Sequence, residues 1–260
     1  MAEREQGNGR AAVIALVGPE ATGKSTIARE LESWLASMYN VRAIHVGKPP
    51  ATWLTFPVRI LLPLAKRFFP KSRTSRLKGY VTSAQNSDIS DVDEPQRNTI
   101  CFSALVNAVW NVCIAWERCN LLVSSHKAAN NHTFIVCDRY PSYQPGAMDS
   151  ARLTLHVEQK GLKASLYNQL ALIEHRIYQQ IPAPDIVLQL SVSLETAKQR
   201  NRERVKEDKE GDRYIEARRL HTQSWQRMGN EVIYHIDTEQ PFADTVNRVI
   251  DVIKKTVNGK

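Results

Sequence analysis

Gly18-Pro19-Glu20-Ala21-Thr22-Gly23-Lys24-Ser25 follows directly on the apolar run Ala12 to Val17 and opens a helical pattern carried by Ile27, Leu31 and Leu35. The string satisfies Gly-x-x-x-x-Gly-Lys-Ser/Thr, and it stands in the strand-to-helix setting where that spacing has a physical task. The glycines let the backbone curl until its N–H groups converge on anionic oxygens, and the helix behind them adds the positive end of its dipole. Lys24 reaches toward terminal phosphates, and the Ser25 hydroxyl suits a Mg2+ ion. ATP and Mg2+ are therefore the expected ligands, with Gly18, Ala21, Thr22, Gly23, Lys24, Ser25 and Thr26 around the triphosphate.

Four further short apolar runs rich in β-branched residues are spaced along the chain: Val41 to Val46, Thr133 to Cys137, Asp185 to Leu190 and Val232 to Ile236. Strands alternating with helical patterns predict an α/β fold, a central parallel sheet covered on both faces. Ahead of the third run, Leu105, Val109, Val112, Trp116, Cys119 and Val123 recur at helical spacing, which predicts a buried stripe. Asp138 ends the third run, where a carboxylate can help to hold a metal beside the phosphate loop; the residue alone would equally serve as a turn cap. Arg139 points the opposite way if the chain is still extended, and could grip a second phosphate bidentately. Arg200, Arg202 and Arg204 crowd a helix beginning near Ser193, followed by the highly charged Lys206 to Arg213. Such cations can close over a transferring phosphoryl group; they also suit a solvated helix with pairs such as Glu203 and Lys206.

The chain has 260 residues, 42% of them hydrophobic and 24% charged, and a net charge of +8 that points to anionic partners. One domain with its core at 11–258 accommodates this length. Between Glu32 and Asp88 there is no acidic residue, and the segment from about 48 to 100 reads as an insertion: Trp53 to Phe69 mixes bulky apolar residues with cations, and the remainder is polar. The stretch 53–78 would suit weak contact with an anionic membrane surface, or a core-packed helix pair with a basic edge. No recognised module favours specific nucleic-acid binding. Cys101, Cys113, Cys119 and Cys137 fit no zinc or disulfide spacing and read as reduced core thiols. No histidine ligand pair or Gly-x-Ser-x-Gly elbow appears, which removes most support for hydrolase and metalloenzyme readings. The first ten residues carry no secretory pattern, and no window is apolar enough to span a bilayer, so a cytoplasmic location is expected, with a membrane-peripheral one left open.

Taken together, these residues resemble the thymidylate kinase family of nucleoside monophosphate kinases. Asp138-Arg139-Tyr140 is similar to that family's Asp-Arg-aromatic motif, and Arg118 sits where the family keeps an arginine on the preceding helix. Arg200, Arg202 and Arg204, with Asp212 and Arg213, resemble the two sides of its arginine-rich lid. Ile236-Asp237-Thr238-Glu239-Gln240-Pro241 resembles its last strand and turn. The resemblance covers about Ala12 to Val257 outside the insertion. It implies a three-layer P-loop kinase fold with a central five-stranded parallel sheet, helices on both faces and a small lid at about 199–214.

The roles it implies follow position by position. Lys24, Arg139, Arg200 and Arg204 would be catalytic. Glu20 would contact a sugar hydroxyl of the acceptor, and Arg118, Arg139 and Tyr140 would line the acceptor site. Ser25 and Asp138 would hold the metal. Because Ala21 stands where some members carry an arginine, the lid arginines would supply the transition-state charge. The acceptor side departs from the family: His45-Val46-Gly47-Lys48-Pro49-Pro50 replaces Arg-Glu-Pro-Gly-Gly-Thr, and the loop after the Asp-Arg motif compresses to Pro141-Ser142-Tyr143-Gln144-Pro145. The expected activity is transfer of the ATP γ-phosphate to a nucleoside monophosphate or another small acceptor. The alternative is an ATP-binding regulatory or scaffold protein without productive transfer. A homodimer is left open.

Overall fold

A computed structural model describes residues 11–47, 49, 100–143, 147, 149–157, 161–203, 215–216 and 225–258. Within them five strands form one parallel sheet: β1 (Val13–Val17), β2 (Asn40–His45), β3 (Thr133–Asp138), β4 (Ile186–Ser191) and β5 (Val232–Asp237), in the order β2-β3-β1-β4-β5. Each lies within a residue of the run expected from the sequence. The helices are α1 (Lys24–Ala36), α2 (Phe102–Asn130), α3 (Leu162–Gln179), α4 (Leu194–Glu203) and α5 (Phe242–Asn258). Apart from Pro49 and Ile100, the insertion lies outside the described residues, as do the lid positions from Arg204 to 214 and the stretch 53–78.

Strand alternation builds the two core layers. Val13, Ala15 and Val17 of β1, with Ile135 and Cys137 of β3 and Val187 of β4, pack against Ala115, Cys119 and Leu122 of α2 and Tyr178 of α3. Ile14 and Leu16, with Phe134, Val136, Ile186, Leu188 and Leu190, pack against Ile27, Leu31 and Leu35 of α1 and Val249 and Ile253 of α5. β1 is buried at every position because it is central and covered on both faces, which is why its sequence runs apolar without alternation.

Two sequence expectations need correction. Of the stripe on α2, Val109 and Trp116 are 49% and 43% exposed, and the fully buried positions are Ala108, Ala115, Leu122, Ser125 and Ala129. Small side chains let the helix lie close to its neighbours, and the bulky residues of the stripe fall on its flank. Of the four cysteines, which carry no disulfide, Cys119 and Cys137 are buried, Cys113 is half-buried and Cys101 is exposed. No helix among the described residues is long and apolar enough to cross a membrane.

Because all five strands are parallel, the loops after them gather at one edge of the sheet. The phosphate loop leaves β1 there, between β3 and β4, and Gly18 fixes its path. Its φ is 141°, and a Cβ on it would stand 2.3 Å from the Leu190 carbonyl oxygen of β4. Gly18→Ala should therefore cost at least about 2 kcal/mol, because a backbone atom rather than a flexible side chain must move. The expected fall in Tm is roughly 4–8 °C, measured by calorimetry; an unchanged Tm would contradict this path for the loop.

Candidate functional site

The turn from β1 into α1 holds its own cation. Lys24 is buried, and its Nζ donates to the carbonyls of Gly18 (3.0 Å) and Pro19 (2.5 Å) and to Thr22 Oγ1 (3.2 Å), whose hydroxyl in turn donates to Pro19. All are neutral oxygens. Burial lowers the lysine to about 8 from its usual 10.5, and Glu20, Asp138 and Asp149 offset this only in part. No acidic residue occupies the first turn of α1, so the positive helix end faces the loop, and the three nearby carboxylates compensate the ammonium only in part.

Asp138 closes the next side. It pairs in register with Leu16 of β1, and its Oδ2 accepts from Ser25 Oγ at 2.6 Å and lies 2.9 Å from His45 Nδ1 at the end of β2. Its Oδ1 is buried without a hydrogen-bond partner. An orphaned carboxylate oxygen beside a serine hydroxyl is a hard oxygen pair suited to Mg2+. The described residues contain no group of three or more His, Cys, Asp or Glu that could hold a metal alone.

The third part lies on the β2–β3 side. Arg118 of α2 is 4% exposed and uses all five N–H donors within the fold. Nε donates to the Val46 carbonyl (3.2 Å), and Nη1 to the Asp149 carbonyl and the Tyr178 hydroxyl (2.9 Å each). Nη2 donates to Asp149 Oδ1 (2.9 Å) and to the Gly47 carbonyl (3.5 Å). Burial works against its charge, yet Tyr178 and Asp149 outweigh burial and hold its pKa above the ordinary arginine value. Arg139 reaches both oxygens of Glu20 and Asp149 Oδ2, each at 3.4 Å. The chain is not extended at Arg139: its φ of 77° turns the backbone sharply out of β3, which corrects the expected direction of its side chain.

Most of the residues expected to act together thus meet at one edge: Glu20, Lys24, Ser25, Asp138, Arg139 and Arg118. Tyr140 takes no part in this cluster. Its hydroxyl donates to the Pro182 carbonyl at 2.6 Å and meets His126 Nε2 at 3.0 Å, and its ring is buried against Trp225. Arg200 approaches from the other side, donating to the Thr238 carbonyl (2.6 Å), to Thr238 Oγ1 (3.3 Å) and to the Ala21 carbonyl (3.5 Å). Ser193 caps its helix through Thr196 N. Arg202 is exposed, and Arg204 lies outside the described residues. The sequence reading missed His45, Gly47, Asp149 and Tyr178; the departure at 45–50 was the one signal that pointed near them.

Among solved structures the chain is similar to thymidylate kinase from Candida albicans, with 17% identity, a TM-score of 0.50, and 96% of this chain and 94% of that one covered. It is similar, too, to deoxyadenosine kinase from M. mycoides with bound dATP, with 17% identity, a TM-score of 0.50, and 93% and 99% covered. No protein-family model matches the chain, and no curated protein does. The shared feature is the fold: a P-loop kinase fold of the thymidylate and deoxynucleoside kinase type.

The lowered lysine gives a pH test. Between about 8 and 10.5 the unfolded chain binds more protons at Lys24 than the folded one, so this residue lets stability rise with pH there. An anion in the loop reverses the shift, because it favours the charged amine. Triphosphate binding should therefore take up a proton near pH 8, and affinity should fall by up to about tenfold per pH unit above it. Calorimetry in buffers of different ionisation heat measures this; binding with no linked proton from Lys24 would contradict the assignment.

Proposed function

We propose that the chain is an ATP- and Mg2+-dependent phosphotransferase acting on a nucleoside monophosphate or a related small acceptor. The observation that carries the reading is the buried ammonium of Lys24, lodged on neutral oxygens of its own loop at the positive end of α1. A triphosphate supplies the negative charge that this site lacks. The kinase fold shared with the two solved enzymes supports the same reading.

Each residue then has a task. Backbone N–H groups from Gly18 to Thr26 cradle the phosphates, and Lys24 leaves its carbonyls for the β and γ oxygens. Ser25 and Asp138 would hold Mg2+, which when bound neutralises charge developing on the transferred group. Glu20, Arg118 and Arg139 form the acceptor wall, and Tyr140, turned into the core, is not part of it. Arg200, fixed on Thr238 and Ala21, flanks the loop, and with Arg204 it supplies cationic charge from the lid side. The chemistry needs no covalent protein intermediate: alignment of two oxygens about phosphorus and preorganised charge suffice. We place the reaction in the cytoplasm because the four cysteines are unpaired.

Lys24→Ala should weaken Mg-ATP binding by about 10- to 100-fold, the worth of charge-assisted hydrogen bonds lost. Ser25→Ala should leave binding of metal-free ATP nearly unchanged and remove most of the strengthening that Mg2+ brings. Titration calorimetry with and without Mg2+ checks both; equal affinity in Lys24→Ala and wild type would contradict the proposed site.

A further inference from the structure

Asp138 is held at one oxygen and left open at the other. Its Oδ2 accepts from Ser25 Oγ of α1 at 2.6 Å and faces His45 Nδ1 of β2 at 2.9 Å. A carboxylate oxygen only accepts, so the imidazole donates from Nδ1 and carries a proton there. Oδ1 of the same carboxylate is buried and has no hydrogen-bond partner. A buried acceptor without a donor costs free energy, and a cation bound there would recover it.

The backbone sets the contact between His45 and Asp138. The two are register partners at the ends of the parallel strands β2 and β3, and the ladder runs on past them. Val46 N donates to the Asp138 carbonyl (3.1 Å), and Arg139 N to the Leu16 carbonyl of β1 (3.0 Å). Register partners present their side chains to the same face of a sheet, so the imidazole meets the carboxylate without leaving its strand. The terminal torsion of an aspartate is broad and nearly two-fold, and a single donor leaves the carboxylate free to turn and exchange its oxygens. Two donors from different elements, α1 and β2, fix its plane. Ser25 has a second duty in the proposed site, as a ligand of the cation. The imidazole is the donor whose one task is the carboxylate.

Granted the Mg2+-dependent phosphotransfer proposed above, on which this rests, we infer that His45 is a positioning residue: its Nδ1–H holds Asp138 Oδ2, so that Oδ1 is presented to the cation beside Ser25. It acts through Asp138 and not on the nucleotide. His45 opens the stretch His45-Val46-Gly47-Lys48-Pro49-Pro50, where the chain departs from the family it resembles, so this support belongs to the chain's own version of the site. Removing an outer partner of this kind lowers metal affinity about 10- to 100-fold.

The test is titration calorimetry on the full chain with ATP, without and with Mg2+, for the wild type and three variants. The His45 side chain is 38% exposed, so its replacement opens no core cavity. His45→Ala removes the donor. His45→Asn keeps an N–H on the atom next to Cγ, at the place of Nδ1, whereas His45→Gln carries it a bond farther out. The gain in ATP affinity that Mg2+ brings should fall about 10- to 100-fold in His45→Ala, with the affinity for metal-free ATP unchanged. His45→Asn should recover most of that gain, and His45→Gln little of it. A full gain in His45→Ala overturns the inference, as does the same result for Asn and Gln. An equal loss of affinity with and without Mg2+ also overturns it, since that is what a merely structural role gives. In each of these cases the gain seen in the wild type leaves the phosphotransfer reading standing. A wild type that gains nothing from Mg2+, or binds no ATP, removes that reading and the inference with it. Should His45→Ala not fold, the comparison of Asn with Gln decides.

Discussion

A lysine buried against the carbonyls of its own loop is a charge in want of an anion, and the sheet edge is organised around it. Lys24 keeps its place because β1 is central, because α1 begins where the loop ends, and because Gly18 lets the loop pass over the Leu190 carbonyl. Desolvation presses the amine toward its neutral form, and the carboxylates of Glu20, Asp138 and Asp149 only partly relieve this. Phosphate would relieve it fully. The unpartnered Asp138 Oδ1 is the complementary case, a buried acceptor waiting for a cation, and the Ser25 hydroxyl on its other oxygen joins the two halves.

What the sequence discloses of this arrangement is what local pattern can carry. The central strands were readable because a doubly covered parallel strand runs apolar, as β1 and Phe134 to Cys137 of β3 do, while the edge strands β2 and β5, more exposed, were marked by their β-branched residues. The phosphate loop was readable because its function is performed by consecutive residues. Asp138 and Arg139 could be found since they adjoin a strand whose end is itself legible. The direction of Arg139 could not, because an unforeseen left-handed turn follows β3.

The acceptor wall was the least legible part, for a geometric reason. Arg118, Val46, Asp149 and Tyr178 meet across separations of 31 to 72 residues, and no periodicity links them. Asp149 belongs to no motif, and Gly47 matters only because a side chain crosses over it. A similar limit governed α2, where hydropathy placed Val109 and Trp116 in the core while the close-packed face is made of alanines. Thus the proposed phosphate loop is written locally, and the proposed acceptor wall is written in tertiary contacts.

The central claim is that the loop's cation is held in reserve for a triphosphate. A crystal structure with Mg2+ and a non-hydrolysable ATP analogue tests it directly. The account predicts Lys24 Nζ withdrawn from the Gly18 and Pro19 carbonyls and seated between β and γ oxygens, with the metal bridging to Ser25 and within reach of Asp138. Nucleotide bound elsewhere, with Lys24 still on its own carbonyls, would contradict it.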